Sequence, residues 1–399
     1  MNVLIFEPTH SGHRFNYVRM LIPALHELGV NISLATTPEA RVSVEYGVHL
    51  RPLESKFSYV ELHPQNPTVK QTLKVRHDIL ALFLCIHEQK PDHVYIMTAD
   101  GRAQMLGLLS LLRLLKVPHY TTIEGILFKG SGAYASTSAI RKLYDKLLNL
   151  ILRYTPLSRF HYVDPLAYDW VRTHNPYLAL RSSLLPDPIS TALPVPADQA
   201  RAQLGIPTEG KYIGLAGALK PRKGLDHLVR AFVSAGLGSD CYLLLAGKQA
   251  PAVKRCIEEN TTPETASQII AIDRYVSNDE FWFALCAMDV VCVPYPKHRG
   301  SSGILLSAAA AGKPVLATQF GWIGAFTKEY GLGQTVDVHD QNMLVAGIRA
   351  SLQRAHQHTP SAKWNQYSKS LTQDHFTNSL TTLLQERLIT SSLKSATES

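Results

Sequence analysis

The sequence predicts an α/β protein of two domains, each an open parallel sheet. Three observations carry this: the chain length, the alternation of apolar runs with helical patterns, and the recurrence of that alternation in both halves. At 399 residues the chain exceeds the size at which one hydrophobic core keeps growing. Strands are expected at 3–6, 31–35, 93–97 and 119–123, and between them 16–28, 68–89 and 102–115 carry apolar residues at spacings of three and four. Such alternation argues for right-handed crossovers and a parallel sheet. The second half repeats it, with strands at 212–216, 242–246, 269–272, 290–293 and 314–318 and helices at 225–235, 279–287 and 304–311. Leu184-Leu185-Pro186-Asp187-Pro188-Ile189 reads as the junction. The expected domains are therefore 1–190 and 191–375, with a C-terminal helix and frayed tail at 376–399. Two lobes imply a cleft.

The composition, 45% hydrophobic and 18% charged, is that of a globular enzyme and excludes a disordered chain. Five cysteines, odd in number and without a CxxC pair, read as reduced core residues. No basic segment precedes the apolar run at 3–6, and no run of about 20 apolar residues could span a bilayer, so a cytoplasmic protein is expected. The net charge of +8 suits an anionic partner such as a nucleoside diphosphate or an anionic lipid surface. Nucleic acid is disfavoured, because zinc-finger spacing, RNP-like aromatics and long basic runs are all missing.

Two blocks carry the chemistry. In the first, Gly214-Leu215-Ala216-Gly217 leads to Lys220-Pro221-Arg222-Lys223-Gly224-Leu225-Asp226, where a strand ends, a basic turn follows and a helix begins. Amides at a helix N-terminus beside two cations suit phosphate, although a solvated basic turn would read the same way. In the second, a strand runs through Pro294-Tyr295 and Arg299 into Gly300-Ser301-Ser302-Gly303, which opens a small-residue helix. Free amides and hydroxyls there would converge on an anion, while the alanines of 308–311 also suit tight helix-on-sheet packing. Both blocks follow strand C-termini, where open α/β sheets bind ligands.

From 212 to about 352 the order and spacing of these elements resemble the donor domain of glycosyltransferase family 4. Arg222-Lys223-Gly224-Leu225-Asp226, Val276-Ser277-Asn278-Asp279-Glu280, Met288-Asp289, Pro294-Tyr295 and Gly312-Lys313-Pro314-Val315 carry the likeness. The N-terminal half resembles the family more loosely, through Phe6-Glu7-Pro8 leading to Gly12-His13. The resemblance implies a GT-B fold, two Rossmann-like domains with parallel sheets facing a central cleft. It also implies retaining transfer of a sugar from a nucleoside-diphosphate donor held by the C-terminal lobe to a glycan, lipid-linked or small-molecule acceptor.

Lys223 matches the family's diphosphate-binding lysine, and Arg222 stands in for an arginine whose usual place holds Ala218. The two-glutamate motif of the family falls on Arg299 and Ser307, so both carboxylates are missing. Ser307 remains able to bond a ribose hydroxyl, and Arg299 suits a phosphate or an acidic sugar. On the acceptor side the resemblance points to Gly12, His13 and Arg14, with His13 also a candidate for the chemistry. It places Glu124 where the family often has a histidine near the reacting carbon, with Asp100 after the neighbouring strand. Either carboxylate, read as a group at a strand end, would serve as acid or base, or equally as a helix cap.

No metal-ligand cluster and no cofactor are expected beyond the donor itself. Residues 140–154 form a basic amphipathic stretch that either packs on the sheet or makes peripheral contact with the inner membrane face. The rival reading from another class is a catalytically silent GT-B protein that binds a sugar nucleotide or regulates a partner enzyme, as the missing glutamates would allow.

Overall fold

The computed structural model describes residues 1–9, 14–62, 71–128, 134, 139–190 and 192–397, with backbone alone at 71–73, 141–142 and 391–397. The chain divides into two compact units, Met1–Pro186 with Gln373–Ser399, and Asp187–Thr372.

The first unit holds β1 (Asn2–Phe6), β2 (Asn31–Thr36), β3 (Ser58–Glu61), β4 (His93–Ile96), β5 (Thr122–Leu127), β6 (Arg159–Tyr162) and β7 (Ser182–Leu184). They form one parallel sheet in the order β3-β2-β1-β4-β5-β6-β7. Successive side chains of a strand point to opposite faces, so β1 feeds two cores. Val3 and Ile5 join helix Arg14–Glu27, whereas Leu4 and Phe6 join helices Gln71–Gln89 and Arg102–Leu111. A sheet covered on both faces needs continuous apolar strands, which is why 3–6 is legible as a strand.

The last 27 residues correct the expected domain layout. Helix Gln373–Thr397 returns to the first unit, where Phe376, Leu380 and Leu384 complete the core around helix Arg14–Glu27. Phe376 stacks on Tyr17 at 5.1 Å, and the buried Tyr95 hydroxyl donates to the carbonyl of Leu380 at 2.9 Å.

The second unit holds β8 (Lys211–Ala216), β9 (Cys241–Ala246), β10 (Ile269–Ile272), β11 (Val290–Val293), β12 (Val315–Thr318) and β13 (Gly333–Val336). These pair in parallel in the order β10-β9-β8-β11-β12-β13. Several family-like motifs turn out to build the scaffold. Ser277 and Glu280 form a capping box on helix Asn278–Ala287, each side chain accepting the other's amide. Asp289 accepts the Tyr212 amide at 2.7 Å and pairs with Arg201 at 3.1 Å, fixing the start of β8.

Candidate functional site

In the second unit the strand order reverses between β8 and β11, and both sequence blocks leave the sheet at the carboxyl ends of those two strands. Such a reversal opens the crevice in which α/β sheets take ligands. After β8 the chain passes Gly217, makes the 3-10 turn Pro221–Lys223 and enters helix Leu225–Ser234. After β11 it passes Tyr295 and reaches Ser302, the N-cap of helix Gly303–Ala310. Gly224 lets the two loops touch: its φ is +68°, and a Cβ built there would lie 2.1 Å from the Pro294 carbonyl oxygen. No side chain fits that contact.

Lys223 sits at the centre of the crevice, 5% exposed. Its Nζ lies 5.7 Å from the centroid of the Tyr295 ring and 3.5 Å from where a Cβ on Gly217 would stand. Burial, then repulsion from Arg222 and Lys220, pulls its pKa down to about 7. Among the described residues no carboxylate pairs with it. Beside it the buried Ser302 accepts the Leu305 amide at 3.4 Å, and the other first-turn amides of helix Gly303–Ala310 lack intrahelical acceptors. Gly300 is buried and Ser301 half-buried, its carbonyl 3.0 Å from His298 Nε2. Arg222 is exposed on the basic turn. Arg299 is exposed as well, its guanidinium 5.8 Å from the Phe320 ring centroid, and Ser307 is half-buried on the helix. A buried ammonium, an exposed guanidinium and a helix N-terminus therefore meet in one crevice, an arrangement that suits a dianion.

In the first unit the reversal falls between β1 and β4. Glu7, fully buried just after β1, accepts from the Thr9 hydroxyl and the Thr98 hydroxyl, each at 2.7 Å, and lies 3.7 Å from Arg14. Glu7 and Thr98 were not singled out as site candidates from the sequence. The available signal was a carboxylate directly after an apolar strand, which turn chemistry also produces. Asp100, after β4, accepts the Phe128 amide at 3.0 Å and so ties the loops that follow β4 and β5. Gly12 and His13 lie outside the described residues.

Glu124 requires a correction. β5 starts at Thr122, three residues later than the sequence suggests, so Glu124 stands inside the strand and not at its end. It is fully buried, 2.5 Å from His161 Nε2 on β6 and 3.0 Å from His93 Nε2 on β4, and Ser183 on β7 continues the chain of contacts 2.8 Å from His161 Nδ1. Burial raises the carboxyl pKa, but the hydrogen bond from His161 and the close approach of His93 outweigh it and hold the group at about 2. The network links four strands inside the sheet, away from the edge at which ligands bind.

Residues 196–370 match the family model for glycosyl transferases group 1. The chain is 30% identical over 198 residues to the D-inositol 3-phosphate glycosyltransferase of Acidothermus cellulolyticus, an alignment covering 44% of this chain and 43% of that one. It thus spans less than half the length of the curated relative it matches. Among solved structures it is similar to sucrose-phosphate synthase from Thermosynechococcus elongatus, with TM-score 0.66 and 17% identity over 99% of this chain and 100% of that one. It is also similar to Anabaena HepE in complex with UDP and glucose, with TM-score 0.64 and 14% identity over 97% and 100%. On this likeness and on its two parallel sheets, the chain has the GT-B fold, and most of its C-terminal unit is similar to the glycosyl transferases group 1.

Proposed function

We propose that this protein transfers a sugar, with retention at the anomeric carbon, from a nucleoside-diphosphate donor to a glycan, lipid-linked or small-molecule acceptor. Lys223 is the observation that carries the reading: a buried ammonium, without a carboxylate partner among the described residues, set beside a helix N-terminus at the strand-order reversal. As the glycosidic bond breaks, charge grows on the departing diphosphate, and groups aimed at that charge lower the barrier. In this reading Lys223, Arg222 and the amides around Ser301, Ser302 and Gly303 take this role. Transfer needs no metal in this reading and is expected to persist in chelator.

The direct test is thermal shift and calorimetry with UDP, GDP, ADP, dTDP and their sugars on the wild type and Lys223→Ala. Binding of one nucleotide that vanishes in the variant supports the donor site. Silence across the panel would sink it. Arg299 and Ser307, standing where the family carries glutamates, favour a second reading, a sugar-nucleotide-binding regulator without turnover. Under that reading the preferred nucleotide sugar binds, yet no diphosphate is released with or without acceptors.

A further inference from the structure

Helix Ala139–Ile151 wears its polarity inside out. Asp145 and Asn149, one turn apart, are each 7% exposed, whereas Ile140, Leu143, Leu147 and Leu150 are 83%, 69%, 51% and 46% exposed. A surface helix ordinarily buries its apolar stripe and shows its polar one. Asn149 Nδ2 donates to the Asp145 carbonyl at 2.9 Å, so part of the inward polar face is satisfied within the helix. The helix is also firmly seated. A Cβ on Gly107 of helix Arg102–Leu111 would lie 2.3 Å from the Ile151 carbonyl oxygen, so the two backbones are in contact.

The exposed stripe does not end with this helix. Leu108 and Leu111 are exposed on helix Arg102–Leu111, and Leu80 and Leu84 on helix Gln71–Gln89. The three helices follow β3, β4 and β5, and their crossovers all step the same way along the sheet, which puts them on one face. Ile79 and Leu106 on two of the helices share a single core with Leu152, in the turn directly after the third. Around the apolar surface stand the exposed cations Arg76, Arg113, Lys116, Lys146 and Arg153. Among the described side chains of 74–90, 102–121 and 139–155, Glu88 is the only exposed carboxylate.

We propose that this three-helix face docks on an anionic lipid surface. The apolar stripe enters the boundary between headgroups and acyl chains, and the cations reach lipid phosphates. The charge pattern favours an anionic lipid surface over a protein partner, because five exposed cations against one exposed carboxylate suit the uniformly negative potential of such a leaflet. The argument uses the N-terminal unit alone and does not depend on the donor site.

The test is co-sedimentation of the full chain with vesicles of phosphatidylcholine alone and of phosphatidylcholine mixed with phosphatidylglycerol. Binding is expected to the mixed vesicles and to weaken as salt screens the cations. A Leu143→Glu/Leu147→Glu variant is expected to lose it by about tenfold or more, and Arg113→Glu/Lys146→Glu by about fivefold per charge. All four positions are exposed, so an unchanged far-UV spectrum and an unchanged nucleotide-induced thermal shift will show that both units fold and that the donor site is separate. No binding to mixed vesicles, or equal binding by Leu143→Glu/Leu147→Glu, overturns the proposal. It also fails if vesicles are ignored while the same variant splits a wild-type dimer, because the face would then join two copies of this chain.

Discussion

Lys223 titrates near 7 when buried, against about 10.4 in an unfolded chain. Between those values the unfolded state holds more protons, so this residue makes the ligand-free protein more stable as pH rises and withholds that stability below about 7. A bound diphosphate would restore the proton. Two outcomes follow. Nucleotide affinity measured by calorimetry should fall by up to about tenfold per pH unit above 7, with proton uptake that changes the observed heat between buffers. Lys223→Met should raise the melting temperature of the free protein by about 2 °C or more and abolish stabilisation by nucleotide; a variant that melts lower and still binds would remove the argument.

Glu124 runs the other way. Its carboxyl is held at about 2, below its unfolded value, so its stabilisation is present above about pH 4.3 and is lost as the pH falls towards 2. Glu124→Gln should cost about 1–3 kcal/mol in urea unfolding, the usual result of leaving buried polar partners of a carboxylate unsatisfied. Turnover per folded molecule should remain. Intact stability with lost turnover would return Glu124 to the chemistry.

At the scale of elements, the proposed donor site depends on how close two loops come. Gly224→Ala places a methyl against the Pro294 carbonyl in a left-handed conformation. It should cost more than about 1 kcal/mol and weaken nucleotide binding, measurable in one titration series; unchanged binding would mean the loops separate without consequence. These loops were legible in the sequence because small and basic residues directly follow apolar strands, and the family resemblance singled out Lys223 among their cations. β6 and β7 were not legible, since they are short and His161 and Ser183 within them carry polar contacts inside the sheet that interrupt the apolar pattern. The same absence hid the true register of β5: without β6 as a neighbour, nothing in the sequence marked Glu124 as an interior residue. The polar strands β3 and β13 lie at sheet edges, where half of the apolar signal is not needed.

For the whole molecule, repeated alternation was enough to read two parallel sheets, but not the route of the chain through them. Helix Gln373–Thr397 shows no strong apolar stripe in sequence, and its Phe376, Leu380 and Leu384 reveal their role only against the core they close. Phe376→Ala should therefore destabilise the first unit by about 3–5 kcal/mol, seen as earlier exchange of amides in helix Arg14–Glu27, while those around Lys223 keep their protection. Equal loss in both regions would show that the units unfold as one.

The same return of the chain sets an order of birth. Domains usually fold from the N-terminus as they leave the ribosome. Here the first sheet emerges early, yet the surface around Tyr17 and Leu21 waits for Phe376 and its neighbours, which are made after the whole second unit. The unit carrying Lys223 is complete by Thr372 and can close while the older half still shows an open apolar flank. The nascent protein thus finishes its second half before its first, and that flank is where a chaperone would find it.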